Sequence, residues 1–416
     1  MKTIAVPTLV LGKDTPDALT AFCSLHNFHT VQLAADDNTY PILGKPLEEY
    51  LMLSGIQAAS TILEGDPLQA DGDAILQLIS STHPLPQVFI AVGSGTITDV
   101  VRYTSCVLGR PFISIPTAPS VDAYTSPTSP LIISSIKQSL PAQLPLAVFA
   151  DMPTLCAAPA DMIAAGFGDM LGKLTALADW KLGHLLWDEP YAETIAAQSR
   201  ADLNRCIATV DAIAVRQEAG IKILFESLLD SGLNMAQDGS SRPASGAEHH
   251  LAHYWEMKLL WERRLPILHG LKVGYATLWV ANAYDKLRSL DSAFIADWVE
   301  NGQKPDPLTQ KMDITRLYPH NPGRVLAEQK QFLELSAVKW NELKAKIANR
   351  WSDIQSIAAE VPTRPQIEEI LTRLNFPRTH SELNLTKEDI TSGLSAAHYL
   401  RNRFTVLKLM SYLTRK

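Results

Sequence analysis

The sequence predicts an α/β fold that gives way to an all-helical region. Three observations lead there. Up to about residue 155, short apolar runs alternate with helical patterns, the order expected of a parallel sheet with helices on its faces. After Asp161 the chain turns to long helical patterns with few strand candidates. And 416 residues exceed what one small domain needs, so two domains are expected, at 1–160 and 161–416.

The first residues, MKTIAVPTLVLGK, carry one Lys and an apolar stretch, which raises the question of a signal peptide. Pro7, the lack of a small-residue cleavage site and the helix start that follows make a first β-strand the better reading. TVQLAAD (30–36), QVFIAVG (87–93), PFISIP (111–116) and LAVFAD (146–151) read as buried strands. PLEEYLMLSGI and ITDVVRYTSCVLG, between them, read as helices. In the second half Trp340, Leu343, Ile347, Trp351 and Ile354 recur at three- and four-residue steps, one apolar helix face. Leu400, Phe404 and Leu407 repeat that step near the end. The stretch 286–330, with NGQKPDP and YPHNPG, reads as rich in loops.

Composition narrows the function classes. A net charge of −7 without a run of five like charges speaks against a nucleic-acid tail or a membrane-surface patch. No apolar run approaches the roughly 18 residues needed to span a bilayer. The four cysteines (Cys23, Cys106, Cys156, Cys206) stand far apart without CxxC spacing, which suits a reducing cytoplasm.

FIAVGSGTITDVVRY is a strand, a glycine turn and a helix. Gly93 and Gly95 allow close approach of a ligand, and the helix N-terminus behind them favours an anion such as pyrophosphate. Thr98 stands where the full dinucleotide fingerprint has its third glycine, so alone the turn is equally an ordinary βα turn. Asp36, at a strand end, suits an adenosine ribose, though acids there are also common solvated caps. PTAPSVDAYTSPTSP (116–130) follows a strand ending at the same sheet edge, where ligand loops sit; a plain surface loop is the other reading.

Three of 11 histidines crowd into GAEHHLAHYWE. His249 and His253 are four apart and share a helix face, while His250 is rotated away by about 100°. His269 follows Pro266, where a new helix would begin, and two adjacent helices could bring His249 and His269 together. Two imidazoles commonly bind metal with a carboxylate. Asp169, isolated in the apolar, small-residue pattern AAGFGDMLGKLTALADW, is the best carboxylate candidate.

In this order AVGSGTITDVVRY, PTAPSVDAYTS, AAGFGDMLGKLTALADW, SRPASGAEHHLAHYWEM and LHGLKVG resemble the sn-glycerol-1-phosphate dehydrogenases, most nearly their bacterial branch. That family sits in the wider group of iron-type alcohol dehydrogenases, glycerol dehydrogenase and dehydroquinate synthase. The resemblance covers most of residues 10–285 and again LSAAHYLRNRFTVLK; 290–390 shows little that matches. It implies a dehydroquinate synthase-like fold: a Rossmann-like α/β N-terminal domain that binds the dinucleotide, an all-α C-terminal domain that binds metal and substrate, and a cleft between them.

The resemblance also implies one divalent metal per subunit (Zn²⁺, Ni²⁺ or Fe²⁺) on Asp169, His249 and His269. Asp122 and His253 would contact the substrate and, with Asp169, form the catalytic set. Gly93 and the run Gly95, Thr96, Ile97, Thr98 and Asp99 would meet the pyrophosphate of NAD or NADP, and Thr117, Ala118, Pro119, Ser120 and Ser126 would make further cofactor contacts. His250 receives no role.

The implied reaction is the reversible reduction of dihydroxyacetone phosphate to sn-glycerol 1-phosphate, a step of phospholipid metabolism, by a cytoplasmic homo-oligomer of two or more subunits. Lys173, Arg242 and Lys272 are candidates for the substrate phosphate, and each also reads as a solvated charge. The rival readings are a glycerol or polyol dehydrogenase, a dehydroquinate synthase-like enzyme, and a non-catalytic metal-binding protein on this fold. The intact Asp169, His249 and His269 set counts against the last.

Overall fold

Six parallel strands form one sheet in the order β1–β8–β5–β4–β2–β3. They are β1 (Thr8–Gly12), β2 (Thr30–Asp36), β3 (Gln57–Leu63), β4 (Val88–Val92), β5 (Phe112–Ile115) and β8 (Ala147–Asp151), and β6 (Thr128–Ile133) with β7 (Ile136–Pro141) makes a separate antiparallel hairpin. The computed structural model describes residues 6–133 and 136–414; the first five residues of the expected opening strand lie outside them. Side chains alternate across the sheet. Val31, Leu33, Ile90 and Val92 face one core with Leu19, Leu47 and Leu51, while Ala34, Phe89 and Ala91 face another with Ile97, Val100 and Val101. β3 and the hairpin were not expected, because β3 is an edge strand whose Gln57 and Ser60 interrupt any apolar run.

Eight helices carry or brace the site: α1 (Gly95–Val107), α2 (Ala160–Leu171), α3 (Lys173–Trp187), α4 (Glu218–Asp238), α5 (Ala247–Trp261), α6 (His269–Ser289), α7 (Lys387–Ala396) and α8 (Val406–Leu413). By compactness the chain divides into Met1–Met170 with Asn204–Ser240, and Leu171–Leu203 with Ser241–Lys416. The strands end near residue 151, yet α4 returns to the first unit, where it packs on the helix Met152–Ala157. No helix among the described residues is long and apolar enough to cross a membrane.

Three local expectations are corrected. The stretch 286–330 holds the end of α6 and three further helices, Ser292–Asn301, Pro307–Leu317 and Pro322–Glu328. Trp340, Leu343, Ile347, Trp351 and Ile354 are all buried but belong to two helices that break at Arg350. Leu400, Phe404 and Leu407 share no helix, since α8 starts only at Val406.

In the second unit α7 is tied to α5 by charge. Lys258 Nζ and an Arg264 guanidinium nitrogen reach the Asp389 carboxylate at 2.6 and 2.8 Å. Burial works to raise that carboxyl, but Lys258, the Thr386 amide and Arg264 prevail and hold it at about 2, below the ordinary 3.8. The unfolded chain therefore binds the proton first, so this stabilisation is present above about pH 4 and lost as pH falls towards 2. Asp389→Asn should flatten the acid limb of the urea midpoint in that window; an unchanged limb would discount the triad.

Candidate active site

The glycine turn joins β4 to α1, with Ser94 extended at the N-cap. What its glycines provide is room. A Cβ on Gly93 would lie 2.6 Å from the Ile97 side chain, and one on Gly95 would lie 3.0 Å from Val121. Helix geometry leaves the amides of Gly95, Thr96 and Ile97 without intrahelical acceptors, the arrangement that attracts an anion. The side chains beyond them turn inward. Ile97 packs in the core, Thr98 Oγ1 donates to the Ser94 carbonyl at 2.9 Å, and Asp99 pairs with Arg102 at 2.7 Å. Asp36 caps the turn after β2: its Oδ1 accepts from Asn38 N, Thr39 N and Thr39 Oγ1 at 3.1, 2.8 and 2.9 Å.

The loop after β5 is not a plain surface loop. Thr117, Ala118, Ser120, Asp122 and Ser126 are buried. Arg102, fully buried on α1, donates to the carbonyls of Ala123, Tyr124 and Thr128. Tyr124 donates to the Ala118 carbonyl at 2.5 Å, and burial pushes its hydroxyl up to about 12. Ser126 Oγ lies 3.1 Å from Thr128 Oγ1. On the α4 side, Thr125 donates to the Leu229 carbonyl at 2.6 Å and Ser231 to Asp122 Oδ2 at 2.8 Å.

α2 supports the loop from the other side. A Cβ on Gly166 would overlap the Pro119 carbonyl oxygen, so only glycine lets the helix and Pro119 meet. Asp169, three residues on, shares that face. It is fully buried, and its Oδ2 accepts the Asp122 amide at 3.0 Å.

In the second unit the histidines sit at two helix starts, α5 and α6, with His269 itself the first residue of α6. The α5 N-cap is Gly246, which has no side chain to cap the orphan amides. Buried carboxylates do so instead. Asp179 of α3 accepts the Ala247 amide at 2.7 Å, and Glu248 accepts the Gly246 amide at 2.6 Å. A Cβ at Gly246 would lie 2.8 Å from Asp179 Oδ2. Asp179 also accepts from Tyr284 of α6 and the Val406 amide of α8, at 2.8 and 2.7 Å, so one carboxylate ties three helices to α3. Burial, and then the Glu248 charge, push Asp179 up to about 7 against those bonds.

Glu248 takes His249 Nδ1 at 2.8 Å and the Thr175 hydroxyl at 2.6 Å. Burial would raise its carboxyl, but His249, Thr175 and the Gly246 amide outweigh it and hold it below its ordinary value. With Nδ1 donating to Glu248, Nε2 is the atom His249 offers to a metal. This carboxylate–imidazole pair orients a ligand and raises its basicity. Glu248→Gln should weaken zinc binding by about 10- to 100-fold with the fold retained. Competition with a chelator measures it, and an unchanged affinity would remove Glu248 from the site.

Of the three expected ligands, Asp169 belongs to the first unit and His249 and His269 to the second. The His249 and His269 rings are 5.4 Å apart, and His253 is 5.2 Å from His269 and 6.2 Å from His249. One carboxylate and two imidazoles suit a divalent transition metal and leave positions for water or substrate. His253, Glu256 and His269 form a second set, with one ligand atom each within 4.8 Å of the others. Glu256 is already engaged by His253 and Lys272, which makes it the poorer metal donor of that set. His250 is buried on another face, and burial with the charge of Arg403 holds it well below its ordinary value, neutral.

Of the phosphate candidates, Arg242 is bonded to Glu189 at 2.9 Å, Lys272 lies 3.5 Å from Glu256, and Lys173 is fully buried. Sequence reasoning missed Glu248, Glu256, Asp179 and Arg102. For Asp179 the signal was there: like Asp169, it is an isolated acid in an apolar helical run.

Residues 10–159 match the family of iron-containing alcohol dehydrogenases. The chain is 34% identical over 414 residues to the glycerol-1-phosphate dehydrogenase (NAD(P)+) of Geobacillus stearothermophilus, covering 99% of this chain and 93% of that protein. It is 42% identical over 411 residues to the enzyme of the same name from Bacillus velezensis, covering 98% and 92%. A crystal structure of 1,3-propanediol oxidoreductase superposes with a TM-score of 0.64 at 13% identity, covering 98% of this chain and 96% of that one, a likeness of fold. With its sheet, its glycine turn and this degree of identity along nearly its whole length, the chain belongs to the NAD(P)-dependent glycerol-1-phosphate dehydrogenases.

Proposed function

We infer that this protein is an oxidoreductase that interconverts dihydroxyacetone phosphate and sn-glycerol 1-phosphate with NAD(P)H, using one divalent metal per subunit. The observation that carries the reading is the identity to glycerol-1-phosphate dehydrogenases along nearly the whole chain, supported by the His249 and His269 rings lying 5.4 Å apart at two helix starts. The same relatives favour it over a polyol dehydrogenase or a dehydroquinate synthase. When bound, the metal supplies a Lewis acid for the substrate carbonyl and NAD(P)H supplies the hydride.

The chain's own residues do the rest. The first-turn amides of α1 hold the pyrophosphate, with Asp36 at the ribose and Thr117–Ser120 and Ser126 lining the cofactor's path. Asp122, steadied by Ser231, orients the substrate, and His253 exchanges the proton of its hydroxyl. Asp169, His249 and His269 hold the metal, for which Zn²⁺, Ni²⁺ and Fe²⁺ all suit the donors. Residues 1–160 serve the dinucleotide, with Asp122 turned to the substrate, and 161–416 serve the metal and the rest of the substrate. A homo-oligomer is expected, and the four cysteines, far apart in the sequence and without CxxC spacing, suit a reducing cytoplasm.

The test is oxidation of NADH and NADPH by metal-stripped protein reconstituted with each ion, with dihydroxyacetone phosphate against dihydroxyacetone. Turnover confined to the phosphate ester is expected. Equal turnover of both, or of neither, would overturn the substrate assignment.

A further inference from the structure

We infer that Glu256 is a positioning residue for His253, fixing its tautomer and direction, and that Lys272 in turn holds Glu256. The inference rests on the proton-exchanging role proposed for His253. The two residues are three apart on α5 and so are neighbours on one face. Glu256 Oε2 lies 3.3 Å from His253 Nδ1, and Oε1 lies 3.5 Å from Lys272 Nζ. The Lys272 side chain, in the first turn of α6, is 1% exposed, and an ammonium so buried requires an anion beside it.

A carboxylate accepts and does not donate. His253 must therefore present Nδ1–H to Glu256, which leaves Nε2 to face the substrate. The His253 ring lies at 24° to that of His269, a near-parallel stack that also restrains it. His249 and Glu248 repeat the arrangement one turn earlier, so two imidazoles on α5 are each aimed by a carboxylate at Nδ1. With NAD(P)H bound, the cofactor would supply the hydride for the carbonyl carbon, and Nε2 of His253 would supply the proton for the oxygen. The imidazole would keep its Nδ1 proton on Glu256 and regain the other from water. In the oxidative direction Nε2 would take the hydroxyl proton.

A double-mutant cycle on the full-length, zinc-reconstituted protein tests this. Glu256→Ala should lower kcat by about 10- to 100-fold, with KM for dihydroxyacetone phosphate little changed and zinc content intact. Glu256→Gln, whose oxygen still accepts from Nδ1, should recover most of that loss. In a His253→Ala background Glu256→Ala should cost nothing more, because it acts only through His253. Additive losses would overturn the inference. So would loss of zinc in Glu256→Ala, which would make Glu256 a ligand in the second set of donors.

A readout independent of turnover is the ¹⁵N spectrum of the His253 ring at alkaline pH. The Nδ1–H tautomer is expected in the unaltered protein and its loss in Glu256→Ala. An Nε2–H tautomer in the unaltered protein would sink the inference even with normal turnover. The expected spectrum in a protein that reduces no dihydroxyacetone phosphate would instead leave the Glu256–His253 coupling standing and remove the substrate reading.

Discussion

Asp169→Asn should leave a folded protein that has lost its metal and about three orders of magnitude of activity, or roughly 4 kcal/mol of transition-state stabilisation. The substitution keeps the volume of a fully buried side chain and an oxygen that can accept the Asp122 amide. What it removes is the charge that balances a divalent ion, together with the better donor atom. His249 and His269 remain, so weak binding at high metal concentration is expected, with some recovery of activity there. Elemental analysis after dialysis, kcat/KM with saturating zinc and thermal unfolding separate the effects. Stoichiometric metal with near-normal turnover would exclude Asp169 as a ligand.

Gly166→Ala should be as damaging by a different route. The added methyl overlaps the Pro119 carbonyl oxygen and comes within 3.2 Å of Leu228 Cδ1. Pro119 cannot simply step back, because the same loop is bound to Arg102, to the Leu229 carbonyl and to Ser231. Either α2 or the loop must move, and both carry the site: Asp169 lies one turn beyond Gly166, and Asp122 three residues beyond Pro119. Overpacking of this kind costs about 3 kcal/mol. A displacement of about 1 Å at positioned groups costs about 100-fold in rate. The urea midpoint and kcat/KM should both fall. Gly72→Ala is the control, since a methyl there meets nothing within 4 Å. Equal behaviour of the two variants would mean that the loop gives way freely.

The sequence by itself determined the parts whose signal is local. Four inner strands are apolar because the parallel sheet is covered on both faces, and that can be read residue by residue. His249 and His253 share a face because helical geometry places residues four apart together, and Asp169 stands out as a charge in an apolar helix. Local signals also mislead where one residue type serves two ends. Asp306–Pro307 and Asn321–Pro322 look like loop, yet both are helix starts, with the Asp and Asn side chains capping and Pro in the first turn. Only the tertiary structure decided which groups meet. Asp179 reaches Ala247 across 68 residues of chain and Val406 across 227, and no periodicity carries information over that distance. Glu248 and Glu256 look like ordinary helix-surface acids in the sequence. They became partners of His249 and His253 because packing buried Glu248 fully and Glu256 in part, and a carboxylate taken from water is stable only where donors already wait for it.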